Sequence, residues 1–236
     1  PSKPELSQLS SISERPPHDA APGIPLPPTP APSVPTIGNL FLSSCPGKKV
    51  RLNGPVRGRG AICRDLKQDL ERMKDAGVGC VVCCLDDDEL EFLGAPWPVY
   101  SQVANELGLD ILRIPMPEGL APVSAHTLDA QLARLISTYT LNGAHVLVHC
   151  RGGVGRAGLI ACCWMLRLGL CGTPLPARRG VGEVRAGTLQ LVERVVAIVR
   201  RRRSLKAIET YEQVKFLVGY VEFMAERAAE GGRLLG

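Results

Sequence analysis

HVLVHCRGGVGRAGLIACCWMLRL, running from His145 to Leu168, joins three patterns in one stretch. His145 to His149 is an apolar run with β-branched Val146 and Val148, which predicts a buried strand. Glycines at 152, 153 and 155 then predict a tight loop. Leu159 to Leu168 carries apolar residues at helical spacing. Strand, glycine-rich turn and helix form the unit from which α/β folds with a mainly parallel sheet are assembled. Cys150 stands at the end of the strand and Arg156 just before the helical pattern.

The same alternation appears upstream. Asn39 to Ser43 reads as a short strand. Arg64 to Ala76 places Leu66, Leu70 and Met73 on one helical face, with Gly77 as the stop. Val78 to Leu85 is a continuous apolar run, the pattern of a strand buried on both faces. Val99 to Leu107 predicts a helix with Tyr100, Val103 and Leu107 inward, and Leu109 to Ile114 the next strand, closed by Pro115 and Pro117. Leu128, Leu132, Leu135, Ile136 and Tyr139 mark a further helix ending near Asn142-Gly143. Beyond the quoted stretch, residues 172–187 read as a surface loop rich in Gly, Pro and Arg. Helices follow from about Leu189 to Arg200 and from near Thr210, the first running into Arg200–Arg203. The expected fold is α/β, a mainly parallel central sheet of four to five strands with helices on both faces.

Composition sets the outer bounds. The chain has 236 residues, 45% hydrophobic and 22% charged, which fits one globular domain with a tail. Eleven of its 20 prolines fall in residues 1–35, a Ser/Pro-rich segment with too little apolar surface to offset its ordering entropy. The expected organisation is a disordered tail at 1–35, a domain at 36–230 and a short tail at 231–236. No apolar run approaches about 18 residues, so no membrane span is expected. The opening PSKPELSQLS lacks a charged-then-apolar pattern, so no secretory signal is expected. A net charge of +5 permits an anionic substrate but does not argue for nucleic acid. The nine cysteines are odd in number and include the adjacent pairs Cys83-Cys84 and Cys162-Cys163, which suits a reducing compartment, cytosol or nucleus, better than a disulfide scaffold. The C-x-x-C at Cys80–Cys83 lies in a strand, where alternation sends its sulfurs to opposite faces. No metal site or cofactor is expected.

The spacing Cys150-x5-Arg156 means little by itself, since about one chance match is expected in a chain with nine cysteines and frequent arginine. Cys45 and Arg51 (CPGKKVR) repeat it. Context separates the two. Around Cys150 the glycines let backbone N–H groups turn inward, and the following helix adds its positive end. Cys45 has one glycine, an adjacent Pro46 and no helical pattern for about twenty residues, so it reads as structural. Free cysteine titrates near pH 8.5, and a helix N-terminus with a nearby cation can lower that by several units. The donors that hold S⁻ also hold a phosphate dianion, and Arg156 offers a bidentate fork to two of its oxygens.

HCRGGVGRAG, His149 to Gly158, resembles the signature of the cysteine-dependent protein phosphatases of the dual-specificity branch. The wider pattern is most similar to the kinase-associated phosphatase group, which acts on phosphorylated cyclin-dependent kinase. LFLSSCPGKKVRL (Leu40–Leu52), IPMPEGLAP (Ile114–Pro122) and AIETYEQVKFL (Ala207–Leu217) carry that likeness, which spans about Asn39 to Phe223. The resemblance implies a protein tyrosine phosphatase-like fold and a phosphocysteine mechanism. Cys150 is then the nucleophile. Arg151, Gly152, Gly153, Val154, Gly155 and Arg156 form the phosphate-binding loop. Glu118 stands where the family usually has an aspartic acid as general acid, with Asp110 and Asp129 as strand-end and helix-surface backups. His149 would orient the loop. Gln213 would place the hydrolytic water, although Thr210-Tyr-Glu-Gln213 is equally a capping box. Ala157 replaces the hydroxyl residue that many relatives carry after the arginine. Arg151 either meets the substrate or is solvated, Arg200–Arg203 reads as a charged helix end, and Cys83 or Cys84 could pair reversibly with Cys150 as in some relatives. The expected substrate is a phosphoprotein, a cyclin-dependent kinase among the candidates. The alternatives are a phosphoinositide phosphatase, or a phosphate-binding module with little turnover. A rhodanese or arsenate-reducing role fits the loop less well.

Overall fold

Residues 36–173 and 186–233 are described by a computed structural model, with side chains through 230. The tail expected at 1–35 and most of the loop expected at 172–187 lie outside the described residues. The chain enters at strand β1 (Leu40–Ser44), forms a short ribbon from β2 (Lys49–Val50) and β3 (Ile62–Cys63), and continues into helix α1 (Leu66–Asp75). Strand β4 (Val78–Cys83) is followed by helices α2 (Asp87–Phe92) and α3 (Trp97–Glu106), then by β5 (Asp110–Arg113) and α4 (Ala125–Thr138). A single 3-10 turn, Thr140–Asn142, precedes β6 (His145–Cys150), and α5 (Arg156–Arg167), α6 (Ala186–Arg202) and α7 (Tyr211–Arg233) complete the order. No described helix is long and apolar enough to cross a membrane.

The main sheet has four parallel strands in the order β1-β6-β4-β5. Helix α5 lies against β1 and β6, with α4, α6 and α7 around it, while α1 and α3 pack on β4 and β5. Val81, Val82, Val146, Leu147 and Val148 are fully buried, as expected of strands covered on both faces. Helix starts follow side-chain caps: Asp65 accepts from Gln68 N at 2.8 Å, Asp86 from Glu89 N at 2.8 Å and Ser124 from Thr127 N at 3.2 Å. Such caps contribute about 1 kcal/mol each.

The strand order decides where a ligand can bind. β6 comes late in the chain yet lies between β1 and β4, so its carboxyl end opens at a point where the connections diverge, the usual place for a crevice in a parallel sheet. Ser44 pairs with Cys150 in register and Cys83 with His149, so three strand ends finish at the same level.

Several expectations need adjustment. Helix α5 begins at Arg156, three residues before the apolar pattern, so Arg156 belongs to its first turn. Helix α7 runs to Arg233, into the segment expected as a tail. Asp129 is not a helix-surface residue. It is 1% exposed and accepts from Arg167, from Tyr220 Oη at 2.9 Å and from Arg227 at 2.8 Å. A carboxylate with three donors can be buried without an unpaired charge, and it joins α4, α5 and α7 far from any role as an acid. Asp110 is the strand end expected, and accepts from Tyr139 Oη at 2.6 Å.

Candidate active site

Strand β6 delivers Cys150 to the base of the loop 151–155, where it is 3% exposed. The next three carbonyls are all turned away from the sulfur and held by cations. Lys48 Nζ donates to Arg151 O at 3.0 Å, Arg203 Nη2 to Gly152 O at 3.2 Å and Arg203 Nε to Gly153 O at 2.9 Å. In a trans peptide the carbonyl and the following N–H point in opposite directions. Fixing these carbonyls outward therefore aims the N–H groups of Gly152, Gly153 and Val154 into the cup. Gly153 N accordingly donates to Cys150 Sγ at 3.2 Å. Gly153 has φ +72°, and a Cβ there would stand 2.2 Å from Ser43 O, so only glycine fits. Gly155 caps α5, directing the helix's positive end at the same space.

Arg156 is 2% exposed and its guanidinium is already half committed. Nη1 donates to Glu89 Oε2 at 2.6 Å and to Met116 O at 2.9 Å, while Nη2 donates to Glu89 Oε1 at 2.8 Å. The Nη1–Nη2 edge is thus spent on a carboxylate. The remaining edge, Nε–H with the second Nη2–H, bonds to none of the described residues and offers a two-pronged donor. Glu89 is a functional residue that the sequence reading missed. It lies in α2, six residues long with the sequence DDELEF after the Asp86 cap, too short for an apolar period to mark it. The Asp86 cap was the one available signal.

Glu118 lies on the loop between β5 and α4. It is exposed and forms an ion pair of 3.1 Å with Arg151, whose guanidinium also lies 5.7 Å from the Phe92 ring centroid. Burial first, then the Arg151 charge, lowers the pKa of the Lys48 ammonium. The start of α7 holds the Glu118 loop in place: Thr210 Oγ1 donates to Gly119 O at 2.6 Å and Gln213 Nε2 approaches Leu120 O at 3.5 Å. Gln213 is fully buried and also caps the helix. Thr210 Oγ1 accepts from its N–H at 3.3 Å, and its Oε1 accepts from Glu209 N at 2.8 Å, one residue before the cap. The capping reading of Gln213 is thus the one these hydrogen bonds display, and its amide nitrogen lies beside the loop, 3.1 Å from where a Gly155 Cβ would be. Glu209 Oε2 lies 2.2 Å from that point, a second carboxylate at the loop that sequence reasoning did not single out.

His149 points to the opposite face of the sheet from Cys150, as strand alternation requires. It is fully buried, stacked on Tyr100 with centroids 5.6 Å apart, and its Nε2 is 3.1 Å from Tyr100 Oη. Burial pushes its pKa down to about 3, so the ring is neutral at pH 7. Arg200, Arg201 and Arg202 form the charged last turn of α6, as expected, whereas Arg203 lies just past it and braces the loop, and Arg200 Nε donates to Ala207 O at 2.9 Å. Cys83 and Cys84 are buried and free, as are all cysteines of the chain except exposed, free Cys63. A separate cleft of about 490 Å³ lies beside β1, α5 and α6, and its lining does not include Cys150.

Comparison with known proteins gives a consistent result. The family model described as "Swiss Army Knife protein, DSP-PTPase phosphatase domain" matches residues 56–217. Cyclin-dependent kinase inhibitor 3 of Sus scrofa is 26% identical over 208 residues, covering 88% of this chain and 92% of that protein. Its counterpart in Rattus norvegicus is 25% identical over 172 residues, covering 72% and 74%. Among solved structures, kinase associated phosphatase with its catalytic cysteine replaced by serine superposes with a TM-score of 0.59 at 22% identity, covering 79% of this chain and 87% of that one. PTPMT1 superposes with a TM-score of 0.54 at 16% identity, covering 81% and 95%. The two structures share the fold.

Proposed function

The chain belongs to the DSP-PTPase phosphatase family and is a cysteine-dependent phosphatase, and from that premise we propose that it dephosphorylates proteins through a phosphocysteine formed on Cys150. The observation that carries this reading is the set of three consecutive carbonyls held outward by Lys48 and Arg203, with the Gly153 amide on the sulfur. Amides fixed in advance bind a phosphoryl group without reorganising as charge develops on it. The remaining edge of Arg156 takes two phosphoryl oxygens, and its advantage grows as negative charge spreads over them in the transition state.

Cys150 Sγ attacks phosphorus and the bond to the leaving oxygen breaks. Glu118 gives that oxygen its proton, then takes one from the water that attacks the phosphocysteine and frees phosphate. For this, Glu118 exchanges its pairing with Arg151 for the substrate. Gln213 orients the water, and Ala157 has no hydroxyl to help the sulfur leave, so the second step is slow. Rapid-quench kinetics should therefore show a burst of the first product, and a linear time course from the first turnover would contradict the role given to Ala157. The names of the pig and rat relatives make a phosphorylated cyclin-dependent kinase the first substrate to try. The free cysteines favour the cytosol or nucleus as the setting.

The direct test is mass spectrometry of acid-quenched protein after mixing with a phosphopeptide. A phosphate mass on the peptide containing Cys150, absent in Cys150→Ser, is the expected result. Turnover without that adduct, or wild-type activity in Cys150→Ser, would remove the mechanism. Lys48 favours a second reading: it brings a cation to the rim that the loop sequence alone does not contain, which suits inositol phosphates. Parallel assays on phosphopeptides and soluble inositol phosphates separate the two.

A further inference from the structure

The segment between β1 and α1 has a charge pattern unlike its neighbour. Residues 46–64 (PGKKVRLNGPVRGRGAICR) contain six cations, Lys48, Lys49, Arg51, Arg57, Arg59 and Arg64, and no carboxylate. Helix α1 follows after Asp65 and balances three cations with three acids in LKQDLERMKD, so it carries no net sign. A single-sign surface instead concentrates partners of opposite charge.

This segment forms an exposed ribbon rather than a packed element. Lys49 pairs with Cys63 and Val50 with Ile62, and a second antiparallel bridge, Val56 with Arg59, closes the tip. Arg51 Nε donates to Gly60 O at 2.7 Å across the ribbon, which stiffens it. Arg64 is paired with Asp69, but Arg57 and Arg59 are exposed and form no ion pair with any described residue. Exposed Leu52 and Val56 lie among them. The base of the ribbon is part of the active site, because Lys48 is the residue that holds Arg151 O. Positive charge therefore begins beside the phosphate loop at Lys48 and continues along the ribbon to Arg57 and Arg59 at its tip.

We propose that the ribbon is a docking track for an acidic stretch of the substrate protein, lying beside the phosphorylated residue held over Cys150; this rests on the reading of Cys150 as the phosphatase centre. Charge complementarity defines the occupant, and the linear layout suits an extended chain. A flat bilayer would meet the tip but not the half-buried Lys48 end. The apolar Leu52 and Val56 accept side chains between the carboxylates.

Two phosphopeptides test it, one flanked by Asp and Glu and one by Ser and Asn, each labelled with a fluorophore. Binding to the Cys150→Ser protein is followed by anisotropy, and aryl phosphate hydrolysis by wild type is measured separately. The acidic peptide should bind about tenfold more tightly at low salt, with the advantage shrinking as salt rises. The double variant Arg57→Glu/Arg59→Glu, built on wild type, should keep its aryl phosphate activity, and on Cys150→Ser should lose the preference. Equal affinities for the two peptides, or a preference that survives the double variant, would overturn the docking track while leaving the phosphatase reading intact. Loss of anionic-vesicle binding in the variant with peptide preference unchanged would reassign the ribbon to lipid and overturn it as well. Absence of aryl phosphate hydrolysis by wild type would instead defeat the phosphatase reading itself.

Discussion

Two stretches of this chain share the spacing Cys-x5-Arg, and they fold into opposite kinds of structure. After Cys150 the backbone curls around the sulfur, an amide donates to it, and Arg156 turns inward against Glu89. After Cys45 the chain leaves in Pro46-Gly47 and the ribbon. Cys45 is fully buried and its Sγ donates to Pro46 O at 3.4 Å. Burial first, then neighbouring Cys83, pushes its pKa up to about 12. Arg51 has φ +59° and spends its guanidinium on Gly60 O. The residue types and their separation are identical, so reactivity belongs to the loop geometry between them. Three glycines and a following helix make a cup; a proline and a short strand make a hairpin.

The sharpest way to break this comparison is to remove each arginine. Arg156→Ala should lower kcat/KM for an aryl phosphate by about 10³-fold, from the loss of paired donors on the transferring group. Arg51→Ala should change it by less than about twofold, as befits a surface residue. Similar losses in both would mean that the second stretch also contributes to the chemistry.

Next comes the carboxylate behind Arg156. Glu89→Gln keeps the shape but loosens the grip on the guanidinium, and small misplacements of a catalytic group cost up to about 10²-fold. Steady-state assays should show kcat falling, with the fold unchanged by circular dichroism. An unaltered kcat would show that Arg156 needs no support.

The loop glycines give a smaller effect, read in stability. A Cβ at Gly153 would meet backbone at Ser43 O, whereas at Gly155 it would meet the flexible end of Glu209. Gly153→Ala should therefore destabilise by about 1–3 kcal/mol in urea unfolding. Gly155→Ala, where Glu209 can swing away, should cost under about 1 kcal/mol. The reverse order would contradict this account of the loop.

The smallest expected effect is at Cys45. A thiol with a raised pKa stays protonated below that value, so native protein treated with iodoacetamide between pH 6 and pH 10 should show no rise in Cys45 labelling. Exposed Cys63 serves as the internal control. Mass spectrometry showing Cys45 modified ahead of Cys63 would break the contrast.

How far the sequence could be read depended on whether a pattern was local. β4 and β6 were legible because strands covered on both faces must be apolar throughout. Helices α1, α3 and α4 were legible from a single apolar stripe each. The phosphate loop was legible because glycine spacing and its flanking elements sit in one stretch. Glu89, Lys48 and Arg203 were not, since each reaches the loop from a distant element through a contact that no local pattern encodes. Helix α2 and the β2–β3 ribbon failed for lack of length: six residues and two pairs carry no period. Asp129 was misread because an acid on a helix normally faces water, and its three donors come from α5 and α7.

The hydroxyl of Thr210 fastens the Glu118 loop to the start of the last helix at Gly119. In the proposed cycle the proton donor then has only to exchange Arg151 for the leaving oxygen, a side-chain swing on a backbone that the last helix already holds. Shortening the chain from its last helix would weaken this latch, slowing chemistry before it unravels the sheet.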